Sequence, residues 1–219
     1  AARLQREGLT PSAEADRRSL IRRVTLDLTG IIPTAAEVEA FVDDRSPDAY
    51  ERVVDRLLAS PRYGEHRTRN WLDYIRYADT HGIHFDNFRA IWPYRDYVIR
   101  AFNSNKRFDA FVREQLAGDE IAPDDPEVLI GTSYLRNAIY EYNQRDVRGQ
   151  STLITDDITA NAGEVFLGLS FQCARCHDHK FDPILQKDYF ALRAFFEGVL
   201  WRSDLKLATP GEGASHAAK

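Results

Sequence analysis

The sequence predicts an all-α fold, a single helical domain of about eight helices, and three observations carry that expectation. Apolar residues recur at three- and four-residue intervals along most of the chain. Good N-capping residues stand directly ahead of prolines in Ser46-Pro47, Ser60-Pro61, Asp125-Pro126 and Asp182-Pro183, where a proline in the first helical position forfeits no hydrogen bond. No alternating stretch of useful length and no internal repeat is found. With 43% hydrophobic and 29% charged content over 219 residues, the chain has material for a sizeable core and is neither disordered nor collagen-like.

The elements follow in order. Residues 1–13 are expected to form an N-terminal extension, with Thr10-Pro11 a further helix start. Thr34 and Glu37 have capping-box spacing ahead of Val38 and Phe41. The next helix carries Tyr50, Val53, Val54, Leu57 and Leu58 on one stripe. A long helix is expected from Pro61 to about Asp79, with Trp71, Leu72, Ile75 and Ala78 inward. The pattern then breaks at Thr80–Arg89, a stretch rich in His and aromatics that reads as a loop. Helices are expected again at about 93–103, 108–117, 126–137 and 151–168, the last with Leu153, Ile154, Ile158, Val165, Phe166 and Leu169 at core spacing. A final helix from Pro183 carries Ile184, Tyr189, Phe190, Leu192, Phe195 and Phe196. The folded domain is expected over 14–202. Residues 203–219, with Thr209-Pro210-Gly211-Glu212-Gly213, read as a flexible tail or linker.

Charge excludes one class of function. A net charge of −5 leaves no basic stripe for nucleic-acid phosphates. The clusters Arg17, Arg18, Arg22, Arg23 and Arg62, His66, Arg67, Arg69 lie on helix-like segments that also carry acids, as ion-paired or solvated faces do. No apolar run approaches the roughly 18 residues of a membrane span.

One motif carries specific chemistry. Cys173-Ala174-Arg175-Cys176-His177 is Cys-x-x-Cys-His, the attachment signature of a c-type haem, and it uses both cysteines of the chain. Positions i, i+3 and i+4 share one face of a helical turn, so two thiols reach the two vinyl groups while the imidazole reaches the iron. Three rivals were weighed. A zinc site using Cys173, Cys176 and His177 or His179 lacks a second Cys pair; a redox Cys-x-x-Cys follows a strand that is not seen here; a disulfide across two residues leaves His177 unexplained. Cys173 and Cys176 are therefore the expected thioether anchors of one covalent haem c and His177 the proximal ligand, with Arg175 and His179 also placed among the cofactor-binding residues. The chain has no Met, so a His/Met site cannot be built from this chain alone; a second His, a Lys, a Tyr or an open position remain, a filled site implying electron transfer and an open one small-molecule chemistry. His81 and His84 are the candidate distal ligands. Asp178, His179, Lys180 and Asp182 invite a small metal site, against which stands a plainer role in capping and hydrogen bonding. Arg76, Asp79, Arg95 and Asp96 read as an ion-pair network or a propionate site.

The segment Cys173–Ile184, preceded by Val165-Phe166-Leu167-Gly168-Leu169, resembles the signature of the planctomycete cytochrome c domain family. Arg23–Gly30 with Pro33-Thr34, Asp55–Glu65, Arg76-Tyr77-Ala78-Asp79, Tyr94–Ile99 and Phe111–Asp119 are similar to it too, so the likeness spans about 14–202. It implies a haem c domain in an exported protein. Members are generally longer, often joined to a further domain and sometimes to another cytochrome module, and have suggested links to periplasmic electron transfer and to oxidative or polysaccharide metabolism. Many carry Asp-Gly where this chain has His81-Gly82-Ile83-His84.

The expected function is an exported monohaem c-type cytochrome domain passing single electrons to a redox partner protein, with further domains of a larger parent chain as other partners. A haem enzyme or small-molecule-binding haem protein with an open distal site is the alternative. An extracellular polymer-binding module using Trp92, Tyr94, Tyr140 and Tyr142 is a third. Thioether attachment after export places the chain in the periplasm or outside the cell. The start Ala1-Ala2-Arg3 without Met fits a trimmed product whose signal is already gone.

Overall fold

A computed structural model describes residues 2–83, 86–140 and 146–201. They form ten α-helices joined by short 3-10 and π turns, and the β structure among the described residues is one isolated antiparallel bridge, Thr80 with Phe88. The fold is all-α. His84, Tyr142, His216 and the expected tail at 203–219 lie outside the described residues. The chain divides into two compact units, 1–67 and 68–219, where the sequence alone suggests one.

In the first unit α1 (Ala2–Arg6) buries nothing. The helix α2 (Arg17–Thr29) starts at Asp16, whose carboxylate accepts the Ser19 N–H at 3.0 Å; Thr10-Pro11 starts no helix. It ends at Gly30 in the left-handed conformation, φ 71°, where a Cβ would stand 2.4 Å from His66 Nδ1, so conformation and space both require glycine. The Thr34–Glu37 capping box opens α3 (Ala35–Asp43) as expected. Ser46-Pro47 does not open α4 (Ala49–Leu58), which begins after Asp48, because Ser46 is taken up by Asp44 and Arg52. Ile21, Phe41 and Ala49 form the core of this unit with Leu20, Val38 and Val53 against it. The stripe on α4 is only partly inside: Leu57 is buried, while Tyr50 and Leu58 stay exposed. The Arg17 guanidinium lies 3.9 Å over the Phe41 ring and donates to the Phe41 and Asp44 carbonyls, and Arg18 pairs with Glu39 at 2.9 Å.

The boundary between units falls within α5 (Pro61–Tyr74), which starts at Pro61 but stops short of Asp79. Arg76 turns the chain at φ 57° and the Tyr77 N–H reaches back to the Leu72 carbonyl at 2.9 Å. Glycine normally holds that position, at which another residue costs about 1–2 kcal/mol, and here the Arg76 side chain pairs with Asp157. The second unit continues with α6 (Trp92–Asn103), α7 (Phe108–Ile121) broken at Ala117, α8 (Pro126–Gly131) capped by Asp125, and a 3-10 turn over Thr132–Arg136. Then come α9 (Val147–Ala162), a π turn over Gly163–Leu167 and α10 (Gln186–Phe196). Trp71, Ile75, Tyr94, Tyr97, Val98, Phe111, Ile158 and Phe196 build its main core. Two large polar side chains buried there are hydrogen-bonded: Trp71 Nε1 donates to the Tyr94 hydroxyl at 2.9 Å, and Gln115 Nε2 donates to the Phe111 carbonyl at 2.8 Å. On α10, Tyr189 and Phe196 face inward, but Phe190 and Phe195 do not.

Candidate functional site

The Cys-x-x-Cys-His segment begins on a 3-10 turn, Phe171–Arg175, with Cys176 at its C-terminal cap and His177 just beyond, between α9 and α10. Its inner side is apolar, with Phe171 and Ala174 packed against Ile184 and Tyr189. The fit is tight, since a Cβ on Gly163 would stand 2.6 Å from the Phe171 ring. Because Ala174 is fully buried between them, Cys173 and Cys176 are left outside, both exposed as free thiols. The Cys176 N–H faces the Cys173 carbonyl at 3.4 Å. The two residues are thus one 3-10 turn apart, a spacing that eclipses side chains.

His177 follows in an exposed position, its Nδ1 2.7 Å from the Asp178 carbonyl oxygen. With the Nδ1 proton assigned to that carbonyl, Nε2 is the nitrogen left to ligate, an orientation that metal-binding histidines use. Two thiols and one such imidazole on a single turn fit covalent haem attachment. Among the described residues no three His, Cys, Asp or Glu side chains converge as a metal ion requires, so neither the zinc arrangement nor a metal site at Asp178, His179 and Asp182 is formed.

His179 does something different. Its Nδ1 accepts the N–H groups of Asp182 at 2.8 Å and Phe181 at 3.3 Å, and its own N–H donates to the Ile184 carbonyl at 2.8 Å. These bonds close the loop at 179–184, which is why Asp182-Pro183 starts no helix; α10 opens later, with the Leu185 N–H donating to Asp188 at 2.9 Å. Asp178 Oδ1 accepts the Gln186 N–H at 2.7 Å, and Gln186 Nε2 donates to the Arg175 carbonyl at 3.1 Å. The segment behind His177 is tied at both ends.

Arg175 is exposed, but its guanidinium reaches a buried carboxylate. One of its guanidinium nitrogens is 2.9 Å from Asp156 Oδ2, an ion pair without hydrogen-bond geometry. Asp156 Oδ1 accepts Arg193 Nε at 2.7 Å and the Tyr189 hydroxyl at 3.1 Å. Burial first, then the bond to Asp156, pushes the Tyr189 hydroxyl up to about 12. Asp156 is 7% exposed, and its apolar neighbours Ile154 and Ile158 gave no hint of it. A signal exists all the same: from Ser151 to Gly163 there is no Lys, Arg, Glu or Gln, the residues a solvent-facing helix normally carries. Thr155, Asp156, Thr159 and Asn161 are all buried there, whereas Leu153 is exposed.

The loop after α5 is built the other way round. His81 is 5% exposed, donates its N–H to the Asn87 carbonyl at 3.1 Å and accepts the Tyr140 N–H at 3.3 Å, with the two rings 6.2 Å apart. Burial, then the charges of Arg89 and Arg136, push its pKa down. Arg89 donates to the carbonyls of Ala78, Arg136 and Ala138 at 3.0–3.1 Å and so staples the loop shut. These surroundings of His81 do not belong to the Cys-x-x-Cys-His turn. Asp79 accepts from the Tyr77 hydroxyl, and Arg95 pairs with Asp96 while also feeling the charge of Asp79; Arg76 pairs with Asp157 instead. Nor do the aromatics make one platform: Tyr94 is a core residue, Trp92 is half-exposed, and Tyr140 packs on Trp201. Two clefts of about 780 and 440 Å³ share Leu116, Leu192 and Phe196, and neither is walled by Cys173, Cys176 or His177. Among the described residues no helix is long and apolar enough to cross a membrane.

A family model described as PSCyt2, protein of unknown function (DUF1549), matches residues 1–200. The chain belongs to the PSCyt2 family. No curated protein and no solved structure matches it. PSCyt2 membership agrees with the planctomycete-type likeness of the segments above, and its description assigns no activity.

Proposed function

We propose that this PSCyt2 chain is an exported monohaem c-type cytochrome domain that passes single electrons to a redox partner. The observation that carries the reading is the pair of exposed free thiols one turn apart, beside a histidine whose Nδ1 faces a backbone carbonyl. Cys173 and Cys176 would hold the haem through thioether bonds and His177 would ligate its iron. Haem c, when bound, supplies a one-electron iron couple. The chain's own work is mechanical: Ala174 and Phe171 seat the turn, the Asp178 carbonyl orients the imidazole, and the His179 loop keeps the following segment in place.

The alternative, a haem protein with an open distal position that binds a small molecule, is favoured by one observation: His81, the described loop candidate for the sixth ligand, is buried beside Tyr140 and two arginines. Spectra decide both points after expression with a haem c maturation system. A Soret band that survives denaturation and acid extraction is expected, and its absence overturns the cytochrome reading. A low-spin spectrum indifferent to carbon monoxide supports electron transfer; a carbon monoxide shift supports the open site.

A further inference from the structure

The structure assigns to Asp156 the task of positioning the thiol-bearing turn, an inference that rests on the turn being the functional site and adds a residue on another helix to it. Asp156 sits on α9, away from the motif in sequence, yet its carboxylate is the shared partner of Arg175, which lies between the two cysteines, and of Arg193 and Tyr189 on α10. Arg193 in turn pairs with Glu197, one helical turn on. A carboxylate that is 7% exposed is a costly thing to bury unless its partners are fixed. Here two of them are held independently of the turn: Tyr189 by its place in the apolar cluster with Ala174, and Arg193 by α10. The turn itself is short and held from below by only two apolar side chains, Phe171 and Ala174. A 3-10 turn of five residues has little stability of its own. The tie from Asp156 to Arg175 crosses from α9 to the middle of the motif and fixes the turn's rotation over its apolar seat. Cys173 and Cys176, free thiols one turn apart, are thereby held in place before any cofactor is attached. Arg175 stays exposed at the surface while its guanidinium reaches Asp156.

The test uses the full chain without haem, so it does not depend on the cytochrome reading. In a glutathione buffer the two thiols and one oxidised glutathione exchange to give the Cys173–Cys176 disulfide and two reduced glutathiones, and the equilibrium reports how well the turn holds the sulfurs together. Asp156→Asn keeps the shape and loses the charge; it is expected to lower the effective concentration of the thiol pair about three- to tenfold. Arg175→Gln, at a half-exposed site, is expected to lower it in the same direction, and serves alone if Asp156→Asn does not fold. Charge by itself would move the two variants in opposite directions, because one frees a cation beside the thiols and the other removes it. Ile158→Val, which weakens the same helix without touching Arg175, is expected to leave the equilibrium at the wild-type value, while Arg175→Lys restores part of the loss in Arg175→Gln. Opposite shifts in the two charge variants, no shift in either, or an equal shift in Ile158→Val would overturn the assignment. Haem loading read in parallel separates the two ideas: a wild type that takes no haem but shows the expected thiol shifts overturns the cytochrome and keeps Asp156 as the positioning residue.

Discussion

The turn at 171–177 and the loop at 80–89 are both histidine-bearing interruptions in a helical chain, and they are built in opposite senses. In the first, a buried alanine and an arginine tied to a buried carboxylate leave two thiols and an imidazole at the surface. In the second, the imidazole itself is the buried group and the Arg89 side chain closes over the backbone around it. What separates them is where the polar work is done. Around the turn, side chains away from the motif hold it, so the motif's own reactive atoms stay uncommitted; in the loop, His81 is part of what holds the loop.

The largest effect comes from exchanging the two histidines for alanine. His177→Ala is expected to change unfolding free energy by less than about 0.5 kcal/mol, as exposed sites do, yet to abolish the native low-spin iron spectrum. His81→Ala should cost about 1–3 kcal/mol through lost packing against Tyr140, with haem attachment intact. Denaturant titration and absorption spectra on both variants check the crossing. A His81→Ala protein with native stability and a lost low-spin spectrum would make His81 the distal ligand and erase the contrast.

The contrast also marks what the sequence could and could not tell. Cys173, Cys176 and His177 are legible because haem attachment fixes residue types at a set spacing on a turn. The capping box at Thr34, Asp125 ahead of Pro126 and the start at Pro61 are legible because each is settled within four residues. The end of α5 at Tyr74 is not, since it depends on Arg76 adopting a conformation that Asp157, 81 residues on, helps to hold. Asp182-Pro183 has good local capping chemistry and starts nothing, because His179 claims the backbone N–H groups first. Asp156 was missed for the same reason: its partners are 19 to 37 residues away, and periodicity sorts apolar from polar without saying which polar groups are paired inside.

A smaller effect probes the seat of the turn. Gly163→Ala puts a Cβ 2.6 Å from the Phe171 ring, and crowding of that kind costs about 1–3 kcal/mol. A lowered midpoint in thermal unfolding is expected, and Phe171→Leu in the same chain should recover part of it by making room. Smaller again is the change at His179. His179→Ala removes an acceptor from two N–H groups and should cost about 1 kcal/mol, whereas His179→Asn, whose Oδ1 can stand where Nδ1 stood, should recover most of it. Loss of haem attachment in His179→Asn at native stability would show instead that His179 acts on the cofactor.

The least of the effects is the pH response, and it belongs to the loop. His81 has its pKa lowered in the folded chain by burial and by Arg89 and Arg136, so folding favours the neutral ring. A base with a depressed folded value contributes stability that is fully present above its unfolded pKa, about 6.5, and lost as pH falls through the lower folded value. Acidification from pH 7 towards 5 should therefore loosen the 80–89 loop before the rest of the unit. Hydrogen exchange reads this directly: the His81 N–H, bonded to Asn87, should lose protection over that interval, while the Phe171 N–H, bonded to the Leu169 carbonyl, serves as the internal comparison from the turn. Replacing His81 with Gln, which has no charge to gain, should remove the pH dependence from the loop. A loop whose exchange stays flat from pH 7 to 5 in the unaltered chain would mean that protonating His81 costs the fold nothing, and its burial would then lose its place in the comparison.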